Sequence, residues 1–282
     1  MIVDVTDADV LLATAFLERH PETSLLLLST FRAFGTRLGD SLYSGNVKAI
    51  VEGGDIQAVW CLTRSGNLVA QAAGRADLAR PIVEACAEEP IAIRGVLGEW
   101  HVSEAIWTLA CAAYGLTSTF VSKEASYRLE LSPQVTAAPG ESQVRMLTGA
   151  DYPQWDRLSL AFLDEQHLPA QGTPEQRQAA FIRSSGLGHW WGAFDEGRLR
   201  SLAGYVALYR SIAQIGGVFT PPEWRRGGLS RAVMTRVLRD STAVHGLERL
   251  FLFTGEANVA ARRLYESLGF EPFGHYGLFF GG

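Results

Sequence analysis

A strand, a glycine-rich turn and a helix follow one another in residues 215–239 of this chain. Residues 215–220 are apolar enough for a short strand, and two consecutive prolines end it. After an arginine–glycine loop, Leu229, Val233 and Val237 recur at a spacing of four, which is typical of a helix with one buried face. The stretch therefore predicts a tight turn that delivers a strand directly into a helix N-terminus.

This turn, residues 225–230, is suited to binding a diphosphate. The N–H groups in the first turn of a helix have no acceptor within the helix, and the helix dipole adds about half a positive charge there. Gly227 and Gly228 let the backbone approach a ligand without an intervening Cβ. Arg225 and Arg226 add planar donors that match phosphate oxygens. A surface turn without a ligand remains the alternative.

The charge distribution favours a local anion site over a general nucleic-acid surface. The chain has 282 residues and a formal net charge of −5, with −6 in residues 1–140 and +1 in residues 141–282. Residues 221–239 nevertheless hold five arginines against the single acid Glu223. Because affinity for a phosphate backbone needs clustered cations, we expect no nucleic-acid partner. A module for nucleotide phosphates or nucleic acid stays open as a third alternative.

Other sequence features argue against a membrane-spanning, secreted or metal-binding protein. No run of about 18 apolar residues is present, so we expect no membrane span. Asp4, Asp7 and Asp9 stand where a secretory signal needs basic residues, which predicts a cytoplasmic location. Three scattered cysteines show no metal-ligand spacing, so we interpret them as buried thiols in a reducing compartment and expect no metal.

The order of predicted elements divides the chain into two domains, residues 1–132 and residues 142–282. Residues 133–141 contain two prolines and small polar residues, which indicates a linker. Predicted helices cover residues 8–19, 22–37, 78–87, 102–114, 152–166, 174–184, 229–239 and 259–268. Predicted strands cover residues 47–52, 56–63, 68–72, 91–96, 122–131, 144–147, 190–194, 199–209, 215–220, 250–253 and 273–280. This is a mixed α/β pattern, and the second half repeats the order of the first. The first half has no arginine–glycine loop, so we expect it to have lost the anion site.

Two segments of the second half resemble the GNAT superfamily of acyl-CoA-dependent N-acyltransferases. Residues 225–230, Arg-Arg-Gly-Gly-Leu-Ser, are similar to that superfamily's Arg/Gln-x-x-Gly-x-Gly/Ala pyrophosphate loop, with serine as the last residue. Asn258, Leu264-Tyr265 and residues 268–270 fall where the family has Asn…Leu-Tyr-x-x-x-Gly-Phe. The first half resembles the degenerate N-terminal half of tandem GNAT proteins. The resemblance implies two GNAT-like domains, each with a central, mostly antiparallel sheet flanked by helices.

The resemblance also implies acetyl-CoA as the acyl donor. The backbone of residues 218–220 would pair with the pantetheine arm as an added strand does, the loop would hold the diphosphate, and Asn258 would contact the donor while capping its helix. A core strand ended by prolines and a simple helix cap are the alternatives. The residues implied in donor binding are Val218, Phe219, Thr220, Arg225, Arg226, Gly227, Gly228, Leu229, Ser230, Arg231 and Asn258.

In similar enzymes a tyrosine at the position of Tyr265 protonates the departing thiolate, and a packed aromatic ring is the alternative. The proton acceptor for the amine is left open among Glu223, Glu256 and Glu165, each of which is also a plausible solvated acid. His167, His189 and a bound water that relays the proton are the further alternatives. The implied function is N-acetyl transfer by direct attack of a small-molecule or peptide amine in a ternary complex. A non-catalytic acyl-CoA sensor or interaction protein on the same fold is the alternative, and the chain is expected to be a monomer or a homodimer.

Overall fold

Two units alternate along the chain in the computed structural model, which describes residues 1–6, 8–132, 143–168, 170 and 172–282. Unit 1 comprises Met1–Tyr127, Phe253–Val259 and Pro272–Gly282, and unit 2 comprises Arg128–Leu252 and Ala260–Glu271. The predicted linker, residues 133–141, lies outside the described residues. The predicted domains, 1–132 and 142–282, stay a prediction, and two C-terminal segments group with unit 1.

Helices and strands follow the predicted order closely. The helices are α1 (Val10–Glu18), α2 (Pro21–Phe34), α3 (Ala79–Cys86), α4 (Trp100–Tyr114), α5 (Tyr152–Glu165), α6 (Pro174–Gly186), α7 (Leu229–Ala243) and α8 (Val259–Ser267). The strands are β1 (Ile2–Asp4), β2 (Gly45–Glu52), β3 (Asp55–Thr63), β4 (Asn67–Gln71), β5 (Gly95–Glu99), β6 (Ser118–Glu130), β7 (Val144–Met146), β8 (Trp190–Asp195), β9 (Arg198–Tyr209), β10 (Ile212–Phe219), β11 (Arg249–Gly255) and β12 (Glu271–Gly281).

The sheet of unit 1 has the strand order β1-β2-β3-β4-β5-β12-β6. Neighbours from β1 to β4 are antiparallel, β4 and β5 are parallel, and β12 returns antiparallel to β5. The core of this unit gathers side chains from the sheet and from α3 and α4, among them Trp60, Leu68, Ile82, Ile106 and Phe279. Burial of each such side chain stabilises the unit by about 1.5–3 kcal/mol before entropy is counted.

The sheet of unit 2 has the order β11-β10-β9-β8-β7, and β10 and β11 are its parallel pair. The other neighbours are antiparallel. Its core joins α5 and α6 to the sheet through Trp155, Phe181, Trp190 and Phe219. The Trp155 ring lies 4.6 Å from Phe181 and 5.1 Å from Trp190, centroid to centroid. The predicted mixed, mostly antiparallel fold with flanking helices is confirmed.

One predicted strand was wrong in position. Residues 91–96 were expected to form it, but β5 begins at Gly95 and ends at Glu99. A Cβ on Gly95 would lie 2.6 Å from Cδ1 of Phe280, so a glycine is needed where β5 enters the sheet. Ile93 is buried in the core of unit 1 without strand pairing. Apolar character alone therefore placed the strand start too early.

Strand β1 was not predicted, because three residues are too few for a period-two pattern.

Among the described residues, no helix is long and apolar enough to cross a bilayer.

Candidate functional site

Strand β10 has an open backbone edge just before the arginine–glycine loop. Its parallel ladder with β11 ends, among the described residues, at the pair Gln214↔Phe251. On the other side, the pairing with β9 shifts register twice, and Gly217 has a φ of +59°. Residues 215–219 therefore continue as a strand past the end of the β11 ladder. This is the edge on which Val218, Phe219 and Thr220 were predicted to hold an extended arm, and that role stays a prediction.

The loop after β10 contains two left-handed residues. A single 3-10 turn, Pro222–Trp224, leads into it, and Arg226 has a φ of +66° while Gly228 has a φ of +79°. A Cβ on Gly228 would meet no atom within 4 Å, so the glycine serves the backbone conformation and not a lack of space. Arg226 has no such freedom, and its conformation costs on the order of 1 kcal/mol.

The N-terminus of α7 is left without a side-chain cap. Gly228 occupies the N-cap position and carries no group that could accept a hydrogen bond. In the part of the chain that the structure describes, no acceptor is found for the main-chain N–H groups from Gly227 to Ser230. α7 has 15 residues, so its dipole is fully developed at this end. An anion of the right size would satisfy these donors.

A chain of three hydroxyls fixes the shape of the loop. Thr220 Oγ1 lies 2.8 Å from Oγ of Ser201 and 2.7 Å from Oγ of Ser230. The three residues come from β9, from the end of β10 and from the first turn of α7. The side chain of Ser230, the residue that departs from the family pattern, is therefore directed to Thr220. Its main-chain N–H is not used by this contact.

Two residues, Thr220 and Glu165, hold the side chain of Arg225 in place. Its Nε donates to the carbonyl oxygen of Thr220 at 2.8 Å, and its Nη2 lies 2.7 Å and 2.6 Å from the two carboxylate oxygens of Glu165, the last residue of α5. The side chains of Arg225 and Glu165 are 43% and 37% exposed, so solvent screens this pair. Arg225 is thus positioned at the loop but already has an anionic partner.

The other two arginines of the loop differ in their restraint. Arg231 donates from Nη2 to Oγ of Ser267 at 2.8 Å, which joins the first turn of α7 to the end of α8. Arg226 is exposed, and no partner for its guanidinium is found among the described residues. Arg226 is therefore the guanidinium that can meet an incoming anion without first breaking a contact.

Tyr265 and Asn258 lie in different units. Tyr265 is on α8 in unit 2, is 5% exposed and has its ring 6.0 Å from that of Phe270. Asn258 is exposed in unit 1 directly before α8, and its N–H donates to the carbonyl oxygen of Gly255 at 2.8 Å. Asn258 directly before α8 and Tyr265 within α8 have the order of the resembled signature. Their roles stay predictions.

The three acids considered as proton acceptors are not equivalent. Glu165 contacts Nη2 of Arg225 through both carboxylate oxygens, so both oxygens are already engaged. Glu256 is exposed and its Oε1 lies 2.8 Å from Nε2 of His275. Glu223 is exposed in the 3-10 turn. In the described part of the chain, no group of three or more His, Cys, Asp or Glu residues is arranged to hold a metal ion.

Unit 1 contains a strand–helix junction at which, unlike in α7, the helix N-terminus has a side-chain cap. β5 passes directly into α4, and Glu99 caps that helix with its own carboxylate, which accepts from the N–H groups of His101 and Val102 at 3.2 and 3.1 Å. The donors that Gly228 leaves unsatisfied on α7 are therefore occupied on α4. This junction has no loop of glycines and arginines and offers no anion site.

The far end of α7 is anchored by a buried polar cluster. Asp240 is 4% exposed and accepts from Nε1 of Trp191 at 2.8 Å and from Nε of Arg236 at 2.8 and 2.9 Å. Arg236 also donates from Nη1 to the carbonyl oxygen of Val144 at 3.2 Å. These bonds tie α7 to β8 and β7. They hold the helix whose N-terminus forms the candidate site.

Two histidines lie beside this anchor. Burial, with the nearby charge of His245 as a second cause, lowers the pKa of His189 to about 4. Burial also lowers the pKa of His245, although a bond to the carbonyl oxygen of Gly188 opposes this. Both rings contact Tyr205, at 5.5 Å between centroids. The neutral forms of both histidines are therefore favoured in the folded unit.

Sequence reasoning missed the hydroxyl chain and the glycine bulge of β10. Ser201, Thr220 and Ser230 are far apart in sequence, and nothing local relates them. Gly216 and Gly217 were visible as a pair inside an apolar strand, which is a known signal for a bulge. The loop residues themselves, by contrast, were identified correctly as one turn.

Comparison with known proteins finds a family model that matches part of the second half. Residues 153–270 match the model of the acetyltransferase (GNAT) family. Mycothiol acetyltransferase of Thermobifida fusca (strain YX) is 31% identical over 125 residues, which are 43% of this chain. The match covers 36% of that relative, so this chain corresponds to about a third of its length.

Solved structures extend the likeness to the whole chain. A GCN5-related N-acetyltransferase from Sphaerobacter thermophilus superposes with a TM-score of 0.67 at 15% identity. The superposition covers 99% of this chain and 94% of the Sphaerobacter chain. A tandem GNAT protein from the clavulanic acid biosynthesis pathway superposes with a TM-score of 0.51 at 13% identity, and the superposition covers 100% of this chain and 98% of that protein's chain. At these identities the likeness shows the fold alone. The GNAT fold expected from the sequence is confirmed, and its tandem form has a solved counterpart.

Proposed function

We propose that the protein transfers an acyl group, acetyl in the simplest case, from a coenzyme A thioester to an amine. The match of residues 153–270 to the model of the acetyltransferase (GNAT) family supports this proposal. The acceptor is a small molecule or a peptide. The amine attacks the thioester directly while both substrates are bound, so no covalent enzyme intermediate is needed.

The observation that carries this proposal is the uncapped N-terminus of α7. The N–H groups from Gly227 to Ser230 have no acceptor in the described chain, and Arg226 lies beside them without a partner. A diphosphate carries enough acceptor oxygens for these donors. Each charge-assisted hydrogen bond contributes about 1.5–3 kcal/mol, so a few of them support micromolar binding, about 8 kcal/mol, after ordering costs.

The backbone of β10 supports the next part of the donor. Residues 215–219 lie beyond the end of the β11 ladder, and a pantetheine arm contains amides that pair with such an edge. The register of β10 against β9 shifts after Gly216, where a Cβ would lie 2.6 Å from Val206 Cγ1, so the close approach of β9 requires a glycine. Close packing against β9 therefore restricts the backbone of β10 at this point.

We assign protonation of the departing thiolate to Tyr265. A thiolate leaves more readily when it receives a proton, and a phenol is able to donate one. The residue is 5% exposed. The assignment rests on the family signature and on the position of Tyr265 on α8.

Thioester consumption by the purified protein tests the proposal. We expect release of free coenzyme A from acetyl-CoA in the presence of at least one class of primary amine, among polyamines, aminosugars and amino acids. The amide product should appear in equal amount. Binding of acetyl-CoA without turnover on any amine would favour a non-catalytic sensor instead, and absence of binding would refute both.

A further inference from the structure

We propose that Arg200 positions the loop of residues 225–230 for the donor by stacking on the ring of Trp224, the residue directly before that loop. The proposal rests on the function proposed above and adds a positioning residue to its donor site. Cζ of Arg200 lies 3.7 Å from the centroid of the Trp224 ring, over its face. A guanidinium in this place is attracted by the negative face of the ring. Both residues belong to unit 2.

Arg200 has a largely buried position that its polar contacts do not explain. Its side chain is 13% exposed, and in the described part of the chain its buried Nε has no hydrogen-bond partner. Its Nη2 lies 3.7 Å from Oδ2 of Asp195, which is longer than a hydrogen bond, and the Asp195 side chain is 41% exposed. Since a buried charge is normally held by closely paired groups, the stack on Trp224 accounts best for the place of this guanidinium.

Strand β9 restrains the loop at both of its ends. Arg200 contacts Trp224, which precedes the loop. The next residue of β9, Ser201, contacts Oγ1 of Thr220, and the same oxygen contacts Oγ of Ser230 at the end of the loop. Two consecutive residues of one strand therefore fix both ends of a short segment, and a strand within a sheet is a rigid support for a binding site.

The loop needs such support because part of its backbone is in an unfavourable conformation. Arg226 has a φ of +66°. A residue with a side chain keeps a left-handed conformation only where the surrounding structure enforces it. The Arg200 stack restrains the turn from which the loop starts, and the bond from Nε of Arg225 to the carbonyl oxygen of Thr220 restrains its first residue. A loop already held in its binding conformation loses less entropy when a ligand binds, so the donor is bound more tightly.

Calorimetric titration of Arg200→Met with acetyl-CoA tests the proposal. Methionine keeps an apolar side chain at this position and removes the cation and its planar group. We expect the dissociation constant to rise by about five- to tenfold, with kcat at saturating acetyl-CoA and the best amine found unchanged within about twofold. Arg198→Met is the matched control, because it removes an exposed arginine from the same strand and should keep the wild-type affinity.

A double-mutant cycle shows whether Arg200 acts through the ring of Trp224. Trp224→Leu removes the stacking partner and should weaken acetyl-CoA binding by a similar factor. If the stack transmits the effect, adding Arg200→Met to Trp224→Leu weakens binding further by less than about twofold. A double variant whose loss equals the product of the two single losses would overturn the proposal. If Arg200→Met does not fold, wild-type affinity in Trp224→Leu overturns it.

Trypsin cleavage of the free protein measures the order of the loop without a ligand. We expect the bond after Arg226 to be cleaved at least about fivefold faster in Arg200→Met, because a protease needs a segment that leaves its folded conformation. Arg145→Met separates this effect from a general loss of stability, since it removes another stack of unit 2, in which Cζ of Arg145 lies 4.0 Å from the centroid of the Phe194 ring. It should lower the urea midpoint and leave cleavage after Arg226 and acetyl-CoA affinity unchanged.

Wild-type affinity and wild-type cleavage in Arg200→Met would overturn the positioning role. An equal loss of affinity in Arg145→Met would reduce the effect to lost stability and would overturn it as well. Absence of acetyl-CoA binding in the wild type would instead overturn the proposed function, on which this role depends.

Discussion

Arg225 and Glu165 are joined by two contacts: Nη2 of Arg225 lies 2.7 Å from Oε1 and 2.6 Å from Oε2 of the carboxylate. Arg225 is also the first residue of the loop that we propose binds a diphosphate. A guanidinium cannot give the same N–H groups to a carboxylate and a phosphate. The ion pair therefore competes with the donor for Arg225, and it keeps the arginine ordered before the donor arrives.

Removing the charge of Glu165 should strengthen donor binding. In Glu165→Gln the guanidinium loses its anionic competitor, and an exposed pair of this kind contributes about 0.2–1 kcal/mol. We expect acetyl-CoA to bind about two- to fivefold more tightly, as measured by calorimetry at low salt. Asp164→Asn is the matched control, since it removes the same charge one residue earlier and leaves the Arg225 contacts intact. Weaker binding in Glu165→Gln would mean that the pair supports the site.

Replacing the phenol of Tyr265 should affect turnover and spare affinity. Tyr265→Phe keeps the ring that packs near Phe270 and removes the hydroxyl group that we propose as the proton donor. We expect kcat to fall by about 100-fold, with the dissociation constant of acetyl-CoA unchanged within about twofold. The control Tyr152→Phe removes a phenol that donates to the carbonyl oxygen of Pro174 and should leave kcat alone. If Tyr265→Phe weakens binding and spares kcat, Tyr265 is a packing residue.

How much the sequence predicts depends on the range of the interactions involved. The turn at residues 225–230 was identified correctly because a strand, two glycines and a helix N-terminus all lie within one local stretch. The pair Arg225–Glu165 was not, since its members are 60 residues apart.

The two halves illustrate a second limit. Repeated element order indicated two related halves, and the loss of the anion site from the first half was inferred from the missing arginine–glycine loop. The structure supplies the physical cause at the α4 junction, where Glu99 satisfies the N–H groups of His101 and Val102. In sequence, Glu99 is one ordinary acid before a helix. Its role as a cap required the exact helix start, which sequence patterns locate poorly.

The two half-buried histidines, His189 and His245, should make stability depend on pH in a defined direction. His189 has a pKa lowered to about 4 and that of His245 is also lowered, whereas in the unfolded chain both titrate near 6.5. As pH falls below 6.5 the unfolded chain binds protons first, so stability present above 6.5 is lost progressively toward about pH 4. Urea unfolding between pH 7.5 and pH 4.5 measures this trend.

The variant His189→Gln should flatten that dependence, because one of the groups that binds protons on unfolding is gone. Exposed His101 provides the control, and His101→Gln should reproduce the wild-type slope. A slope in His189→Gln as steep as that of the wild type would show that other groups, such as buried carboxylates, govern acid unfolding.

The most direct test of the diphosphate site is calorimetric titration of the Gly228→Glu variant with acetyl-CoA. The new carboxylate places a side chain and a negative charge at the uncapped end of α7. Gly246→Glu is the matched control, since Gly246 has a similar φ of +61°, has equally open space for a Cβ and lies beyond the other end of the same helix. We expect micromolar affinity in the wild type and in Gly246→Glu, and no measurable binding in Gly228→Glu. Wild-type affinity in Gly228→Glu would contradict the assignment of this turn as the donor site.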